Sequence, residues 1–511
     1  MNKIKTALIS VWDKSNIIQF ANFLTKNDIR IISTGGTKNI LNENNIDVVS
    51  IREITEQKEV MDGRLKTLHP KIFGGILADK NNKNHINDLN ELMGTLIDLV
   101  VVNLYPFKTE AIDKELELSK AIEYIDIGGP SMLRAAAKNY LNVVPLCNPS
   151  DYKDFMNLYN MGSGFINEEQ RVHFAKKVFG LTSEYENNIY KYFNKNNCKS
   201  VMLNLNKEED LRYGENPHQN AAFYLPMNET KKWNQLHGKS LSYNNYYDIE
   251  TASSIVSEFN QIACAIIKHS NPCGFAIGKN NLKETYLSAV QTDPISFFGG
   301  IVAFNKEINL EVAIELNKSF LECIVAPSFS KNALIELKKK KNLRLIIINM
   351  AEIHLSKFPL IKSVFNGFLI QDKDIKKDEV KNFKIVSKIK PNNNQLKALY
   401  LGWNLVKYVK SNAIVLSNDK QLVGVGAGQM SRIDSVKIAI NKAKENNLKL
   451  KDTIMASDAF FPFPDCVQLA AEEGVSGVIQ PGGSIKDNEV IEEINKQEMF
   501  MVITNKRHFY H

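Results

Sequence analysis

Two adjacent residues, Lys268 and His269, have the side chains in this sequence best suited to chemistry. They lie in Ala-Ile-Ile-Lys-His-Ser-Asn-Pro-Cys-Gly, residues 265–274, where an apolar strand is predicted to meet a Pro-Gly turn. When a weakly nucleophilic amine attacks a formyl group, the amine loses a proton while negative charge builds on oxygen. A histidine base suits the first task and a lysine ammonium suits the second. The pair therefore indicates acyl-transfer chemistry.

The Lys-His pair can act on one substrate only if both side chains reach the same pocket, and the pair could also have a purely structural role. Neighbours on a regular strand point to opposite faces, so both side chains reach one pocket only if the backbone bends. The turn-forming residues 271–274 supply such a bend. For an isolated pair, a hydrogen-bonded core histidine beside a solvated lysine is the more common arrangement. The other motifs must decide between the two interpretations.

Length and composition narrow the class of protein. A chain of 511 residues predicts more than one domain, and 44% hydrophobic with 24% charged residues is typical of a globular protein. No apolar stretch is long enough to span a bilayer and the first residues do not form a secretory signal, so a cytoplasmic location is expected. The net charge of +7 is small for this length and gives little support to nucleic-acid binding.

The cysteines and the longest lysine run have structural interpretations. Six cysteines are scattered without a Cys-x-x-Cys pair, at positions 147, 198, 264, 273, 323 and 466. This spacing argues against a disulfide framework and a structural zinc site, so reduced thiols are expected. The lysine run 338–341 is predicted to be a solvated helix end.

Alternating strands and helices predict an α/β first domain. Apolar runs at 4–11, 29–33 and 97–103 are typical of strands, and 14–26 and 38–44 of helices. Two further helices are predicted at 168–179 and 183–193, before the polar residues 194–198. These patterns predict domains at residues 1–198 and 199–511.

The second domain is also predicted to be α/β. Its polar, lysine-rich segment 371–392 is predicted to separate two subdomains, and no short tandem repeat is visible. The predicted strands are at 262–267, 299–304, 412–416, 421–425 and 475–479.

Four motifs in the first domain suit a phosphorylated ligand. Ser33-Thr-Gly-Gly-Thr37 lies between a strand and a helix, where free backbone N–H groups bind anions, although paired glycines also form ordinary turns. Residues 62–70 combine two cations with a hydroxyl and a histidine, which suits phosphate contacts or a solvated basic loop. Residues 103–107 follow a strand, at the sheet edge where open α/β folds bind ligands. Residues 126–139 form another loop-to-helix junction, with Arg134 and Lys138 a turn apart.

The order of these motifs resembles a known family. Ser-Thr-Gly-Gly-Thr, Asp-Gly-Arg-Leu-Lys-Thr-Leu-His-Pro, Val-Asn-Leu-Tyr-Pro-Phe and Ile-Asp-Ile-Gly-Gly-Pro-Ser-Met-Leu-Arg-Ala-Ala-Ala-Lys-Asn are similar to the IMP cyclohydrolase domain of the bifunctional AICAR transformylase/IMP cyclohydrolases. The resemblance implies a methylglyoxal-synthase-like fold. It implies nucleotide contacts from Trp12, Asp13, Lys14, Thr34, Gly35, Gly36, Thr37, Arg64, Lys66, Thr67, Asn103, Leu104, Asp126 and Ile127. Trp12 departs from the family pattern, in which a small hydroxyl residue is usual, so only backbone contacts are expected there.

The same resemblance implies roles in closing the ring of formyl-AICAR. Lys138 would take the family's proton-transfer role, and Lys66, Tyr105 and Asp126 would surround the reacting formyl and carboxamide groups. Ring closure requires an amide nitrogen to attack a formyl carbon and water to leave, which proton relays and positioning assist.

The second part of the chain resembles the transformylase half of the same family, so the match spans nearly the whole sequence. The resemblance implies two cytidine-deaminase-like subdomains. Zinc deaminases need His-x-Glu and Pro-Cys-x-x-Cys, whereas here His269-Ser-Asn271 and Pro272-Cys273-Gly-Phe-Ala276 replace them, so no metal is expected. The matching motifs lie at 211–219, 268–274, 293–300, 410–413, 426–432, 457–463, 480–484 and 507–511.

This half implies formyl transfer from 10-formyltetrahydrofolate to AICAR, so that formyl-AICAR and then IMP are made. By resemblance, His269 would accept the proton of the AICAR amine, Lys268 would stabilise the transition state and Asn412 would orient the carboxamide. The family also implies a homodimer. Contacts with AICAR are implied for Arg212, Tyr213, His269, Asn412, Arg432 and Arg507, and contacts with folate for Ile433, Phe460, Asp465, Ser484 and Ile485.

Two other functions are compatible with parts of the sequence. One is a purine-nucleotide-binding protein that has kept the pockets and lost turnover, although the intact Lys138, Lys268 and His269 argue against it. The other is nucleic-acid binding, which would need a clustered basic patch and a strong dependence on salt.

Overall fold

The computed structural model describes residues 3–58, 60–61, 64–194, 200–227, 229–355, 358–375 and 383–511. The chain divides into two units, Met1–Asn206 and Lys207–His511. The predicted boundary between 198 and 199 lies outside the described residues, as do Asp62, Gly63, Cys198 and the part of the predicted linker at 376–382.

A five-stranded parallel sheet forms the centre of the first unit. Its strands are β1 (Thr6–Val11), β2 (Arg30–Ser33), β3 (Val49–Ser50), β4 (Leu99–Asn103) and β5 (Val144–Leu146). The order is β3-β2-β1-β4-β5. The chain leaves β1 towards β2 on one side and later returns to β4 on the other. The carboxyl ends of β1 and β4 therefore border the crevice in which such folds bind ligands.

Helices cover both faces of this sheet and bury one apolar core on each. The two helices predicted at 168–179 and 183–193 are a single helix, because Val178, Thr182 and Tyr185 continue the buried stripe at helical spacing. The helices are α1 (Ile17–Lys26), α2 (Gly35–Glu43), α3 (Ile51–Thr55), α4 (Pro70–Leu77), α5 (Lys83–Glu91), α6 (Leu118–Ala121), α7 (Gly128–Lys138), α8 (Asp151–Met161) and α9 (Glu168–Phe193), with a π-helical turn at Lys108–Ile112 and a 3₁₀ turn at Ile122–Tyr124.

Two six-stranded sheets build the second unit, and two hairpins accompany them. The strands are β6 (Leu205–Leu211), β7 (Ala221–Pro226), β8 (Trp233–His237), β9 (Ile262–Lys268), β10 (Asn271–Gly278), β11 (Ile301–Phe304), β12 (Cys323–Ala326), β13 (Arg344–Ile348), β14 (Leu360–Val364), β15 (Gly367–Gln371), β16 (Lys384–Ile385), β17 (Ile414–Ser417), β18 (Leu422–Gly426), β19 (Ile454–Ser457), β20 (Gly477–Gln480) and β21 (Phe500–Ile503). The hairpins are β6-β7 and β14-β15, and the sheets run β10-β9-β11-β12-β13-β8 and β16-β21-β20-β19-β17-β18.

The two large sheets have the same topology. In each, a two-strand hairpin lies at one edge, three strands follow in parallel, and the first strand of the half closes the other edge in antiparallel pairing. The two halves share the order and direction of their strands and not a repeated sequence, so a search for tandem sequence repeats does not detect this similarity. One apolar core joins the halves, since it contains Ala265 and Phe275 together with Val415 and Ala456.

Helices alternate with these strands, as the α/β prediction requires. They are α10 (Tyr243–Ser257), α11 (Leu282–Thr292), α12 (Leu310–Asn317), α13 (Lys331–Leu337), α14 (Asn393–Val406), α15 (Arg432–Glu445), α16 (Asp465–Glu472) and α17 (Asp487–Lys496), with a 3₁₀ segment at Met350–Leu355. Within the described ranges, no helix is long and apolar enough to cross a membrane.

The turn after β9 differs from the prediction. His269 and Ser270 form it, with φ angles of 54° and 59°, whereas Asn271 and Pro272 already belong to β10. Positive φ at both positions is the geometry of a type I′ two-residue turn, which matches the twist of the flanking strands. A shift in register between Pro272 and Gly274 accommodates the proline, which has no N–H to pair.

Candidate active sites

A candidate anion-binding position lies where β2 ends and α2 begins. Thr34 is the N-cap residue, but its side chain does not cap the helix, because Thr34 Oγ1 lies 2.9 Å from Ser10 Oγ. The first N–H groups of a helix have no partner within the helix. A Cβ atom added to Gly36 would meet nothing within 4 Å, so this helix start faces open space. The arrangement is compatible with the phosphate contact predicted from the glycine-rich motif, which stays a prediction.

Asn103, at the carboxyl end of β4, organises the loop after β1. Its Oδ1 accepts from the backbone N–H of Trp12 at 2.5 Å and of Asp13 at 2.9 Å, and its Nδ2 donates to the Asp13 carbonyl at 2.9 Å. The indole of Trp12 contacts the ring of Tyr105, with centroids 4.9 Å apart. The N–H groups of Trp12 and Asp13 therefore both donate to Asn103. Backbone contacts with the nucleotide were expected at Trp12, and its N–H already has this partner within the protein. Lys14 donates to the Trp12 carbonyl at 3.0 Å.

Asp126 is a partly buried carboxyl that interacts with the charge of Lys66. Burial raises the pKa of Asp126, while hydrogen bonds from the backbone of Gly129 and Tyr105 and the charge of Lys66 oppose the shift. A Cβ atom at Gly129 would lie 2.3 Å from Asp126 Oδ2, so only glycine lets the helix approach this carboxylate. Desolvation lowers the pKa of Lys14, and the charge of Lys66 adds to the effect.

The other residues predicted to contact the nucleotide lie in the loops and helix starts of the first unit. Gly128, at the start of α7, leaves room for Thr67, because an added Cβ atom would lie 2.7 Å from Thr67 Oγ1. Arg64 is exposed and pairs with Glu123 at 2.5 Å. Ile127 is exposed, and Leu104 packs partly buried against the cluster around Phe107. Gly35 and Thr37 lie in the first turn of α2, and Thr37 Oγ1 donates to the Val11 carbonyl at 3.1 Å.

Lys138 and Asp126 lie at opposite ends of α7. Lys138 is the last residue of α7, whereas Asp126 precedes the first. At a rise of about 1.5 Å per residue, the two ends of α7 lie roughly 15 Å apart, which exceeds the reach of a lysine side chain. The next residue, Asn139, donates to the carbonyls of Ile76 and Ala78 at the far end of α4.

The raised pKa of Asp126 predicts an effect on stability. A carboxyl that holds its proton more tightly in the folded state makes stability fall as pH rises between its unfolded and folded pKa values. Asp126→Asn keeps the acceptor for the Gly129 N–H and removes this cost, so Tm at pH 8 should rise by about 2–4 °C per kcal/mol recovered. The gain should vanish near pH 3, where both states are protonated. Thermal unfolding of the full chain checks this.

Asp47→Asn, which changes an exposed carboxylate of the same unit, is the matched control and should leave Tm unchanged at both pH values. A lower Tm for Asp126→Asn than for the parent at pH 8 would contradict the assigned cost of burial.

Lys268 and His269 lie where the backbone bends, so both side chains can serve one pocket. Lys268 Nζ donates to the Phe298 carbonyl at 2.9 Å, and His269 is exposed in the turn. Asp248 of α10 holds the turn, because its Oδ1 accepts from the Ser270 N–H at 2.6 Å. Burial raises the pKa of Asp248, and the Ser270 hydrogen bond and the neighbouring His269 act against this shift. The alternative of a buried core histidine is wrong for His269.

Asn412 and Arg432 form a hydrogen-bonded network with Asp458. Arg432 Nη2 donates to Asn412 Oδ1 at 2.8 Å, and the same guanidinium pairs with Asp458, which is fully buried. Ser411 Oγ donates to the second oxygen of Asp458 at 2.5 Å. Asn412 Nδ2 donates to the Gln429 carbonyl at 3.0 Å. The two predicted AICAR residues thus contact each other directly.

The sheet explains why these distant residues meet. β17 runs antiparallel to β19, and Ile414 pairs with Ser457, so the start of β17 lies beside the end of β19. Residues just before β17 and just after β19 therefore share one edge. β20 is parallel to β19, so the loop that follows it emerges at the same edge.

The predicted folate residues lie in these edge loops, in α15 and at the start of α16. Phe460 is 38% exposed, Ile485 is fully exposed, and Ile433 is half-buried. Asp465 begins α16 and accepts from the Cys466 N–H at 2.8 Å, while Ser484 Oγ accepts from the Lys486 N–H at 3.1 Å.

Two predicted AICAR arginines stack on neighbouring rings. Arg212 lies 4.7 Å from the centroid of Tyr213 and donates to its hydroxyl at 2.7 Å. Arg507 lies 4.3 Å from the ring of Phe509. These described contacts do not join either arginine to His269 or Asn412.

Several residues that organise the sites were not singled out from the sequence. Asp248 carries no motif signal, and neither does Tyr185, whose hydroxyl accepts from the Asp126 N–H at 2.7 Å. Asn271 and Asp458 do lie within matched motifs, so their position beside assigned residues was an available signal.

The sequence predicted no metal site and reduced cysteines. Among the residues placed by the structure, no group of three or more His, Cys, Asp or Glu side chains could hold a metal ion. Cys147, Cys264, Cys273, Cys323 and Cys466 are free.

The fold and the two sites define an α/β enzyme with separate clusters of cationic and titratable groups at strand ends. A family model described as AICARFT/IMPCHase bienzyme matches residues 136–442, and one described as MGS-like domain matches residues 16–131. The chain belongs to the AICARFT/IMPCHase bienzyme family. This confirms the family and the fold class expected from the motifs.

Relatives match along their whole length. Proteins named bifunctional purine biosynthesis protein PurH from Pediococcus pentosaceus, Bacillus thuringiensis and Bacillus mycoides are 44%, 45% and 46% identical over 515 residues. Each alignment covers 99% of this chain and 100% of the relative. A solved structure titled "Crystal structure of ForH" is 31% identical with a TM-score of 0.34, and the alignment covers 38% of this chain and 98% of that one.

Proposed function

We propose that the chain transfers a formyl group from 10-formyltetrahydrofolate to AICAR and then closes formyl-AICAR to IMP with loss of water. Family membership makes the chain a bifunctional enzyme of purine biosynthesis. The observation that most supports the reactions is that distant motifs meet in the second unit. The N–H of Lys410 donates to Asn271 Oδ1 at 3.0 Å across 139 residues of sequence, beside the contact of Arg432 with Asn412.

We assign ring closure to residues 1–198 and formyl transfer to residues 199–511, with a division of the second part near 371–392. The order of the motifs supports the first assignment, and the repeated strand order supports two subdomains. The likeness of these subdomains to cytidine deaminases, the homodimer and the cytoplasmic location stay predictions.

In formyl transfer, the amine nitrogen of AICAR attacks the formyl carbon of the folate. His269 accepts the amine proton, the Lys268 ammonium stabilises the developing oxyanion, and the folate nitrogen leaves with a proton. Asn412, held by Arg432, orients the carboxamide. The exposed ring of Phe460 offers a stacking face to the folate, and Asp465 and Ser484 offer polar contacts.

In ring closure, the carboxamide nitrogen attacks the formyl carbon and the formyl oxygen leaves as water. A partly buried carboxyl with a raised pKa, Asp126, suits proton exchange with this oxygen or nitrogen, and Lys66 supplies a positive charge beside it. The helix start at Gly35 and Gly36 suits the ligand phosphate. The proton-transfer role of Lys138 rests on the family resemblance alone.

The decisive test is incubation of the purified protein with AICAR and 10-formyltetrahydrofolate, followed by chromatographic separation against standards of formyl-AICAR and IMP. IMP is expected, because the proposal assigns a site in this chain to each of the two reactions. Formyl-AICAR alone would place the defect in the first unit, where Trp12 departs from the family pattern. Absence of both products with retained AICAR binding would favour a nucleotide-binding protein without turnover.

A further inference from the structure

The Asn271 side chain connects the two halves of the second unit at the proposed formyl-transfer site. Its Nδ2 donates to the His269 carbonyl at 3.1 Å, within the turn between β9 and β10. Its Oδ1 accepts from the Lys410 N–H at 3.0 Å, two residues before Asn412. One amide group therefore joins the turn that carries the proposed base to the loop that carries the carboxamide-orienting residue.

Both segments depend on side chains for their shape. His269 and Ser270 have positive φ angles, which non-glycine residues adopt at a cost, and Asp248 anchors the turn through the backbone of both residues. Ser411 is held from its other side, because its N–H donates to the Tyr510 carbonyl at 2.9 Å and its Oγ bonds Asp458. Among the described contacts, Asn271 is the side chain that bonds to both segments.

We infer that Asn271 is a positioning residue, which sets the distance between His269 and Asn412 and so the alignment of the AICAR amine with its base. The inference rests on the proposed formyl transfer. A shift of about 1 Å in such an alignment lowers rates as much as 100-fold without removing a catalytic group. Loss of the amide should therefore reduce kcat and leave ground-state binding of AICAR largely intact.

The test compares Asn271→Ala, Asn271→Asp and the matched control Asn418→Ala in steady-state formyl transfer and AICAR binding. Asn418 lies in the β17-β18 turn, the topological counterpart of the β9-β10 turn, and its Oδ1 accepts from the Lys420 and Gln421 N–H groups at 2.8 Å each. Asn271→Ala should lower kcat about 10- to 100-fold with little change in the AICAR Kd. Asn271→Asp keeps the acceptor for Lys410 and loses the donor to His269, so an intermediate kcat is expected. Asn418→Ala should behave as the parent does.

A parent-like kcat for Asn271→Ala would overturn the inference. If Asn271→Ala does not fold, Asn271→Asp decides, and a parent-like kcat there would overturn it. A folded Asn271→Ala protein with both a lower kcat and a weaker affinity for AICAR would also overturn the inference, because that result would identify Asn271 as a residue that binds AICAR. Failure of the parent protein to make formyl-AICAR in the same assay would instead reject the proposed function.

Discussion

His269→Asn is expected to slow formyl transfer roughly 10²- to 10⁴-fold, because it removes the general base of the reaction. Asparagine is the better probe than alanine here, since His269 has a φ of 54° and asparagine adopts left-handed backbone more readily. His269→Ala should act in the same direction, with an added cost in the turn. The measurement is the initial rate of formyl-AICAR formation from AICAR and 10-formyltetrahydrofolate.

The same variants should still close supplied formyl-AICAR to IMP, which makes the first unit an internal control. His237→Asn is a second control. His237 belongs to the same unit and lies in the edge strand β8, where its Nε2 is 3.2 Å from the Lys340 carbonyl. It should leave formyl transfer unchanged. Loss of both activities in His269→Asn would sink the assignment of two separate sites.

The fold class of the first unit was predicted correctly, because each of the motifs expected to bind ligand lies next to a local structural signal. An apolar strand followed by Ser33-Thr-Gly-Gly-Thr37 specifies both a strand end and a helix start. In a parallel sheet, strand ends of this kind gather at one edge without further information. The contacts of Thr37 with Val11 and of Asn103 with Trp12, both at the end of β1, agree with these rules.

The second unit shows what such rules leave out. The contact of Arg432 with Asn412 depends on antiparallel pairing of β17 with β19, and no residue pattern states which strands pair. The turn at His269 and Ser270 was misplaced, because proline and glycine are stronger turn signals than the residues that form this turn. Contacts made by one side chain across 139 residues, such as that of Asn271 with Lys410, have no local signature.

Lys66→Ala is expected to slow ring closure roughly 10²- to 10³-fold, because it removes the positive charge beside the carboxyl of Asp126. The loss should appear mainly in kcat if Lys66 acts on the transition state, and in KM if it only binds the nucleotide. Supplied with AICAR and 10-formyltetrahydrofolate, this variant should accumulate formyl-AICAR. Lys153→Ala, which removes an exposed lysine on α8, should convert formyl-AICAR at the parent rate.

Lys138→Ala is the informative companion, because the family resemblance and the structure predict different sizes of effect. The resemblance predicts blocked ring closure and accumulation of formyl-AICAR. The roughly 15 Å length of α7 separates Lys138 from Asp126, so we expect the larger loss of rate from Lys66→Ala. A block in Lys138→Ala together with near-parent turnover in Lys66→Ala would refute the role of Lys66. Proton transfer would then be assigned to Lys138, at the opposite end of α7 from Asp126.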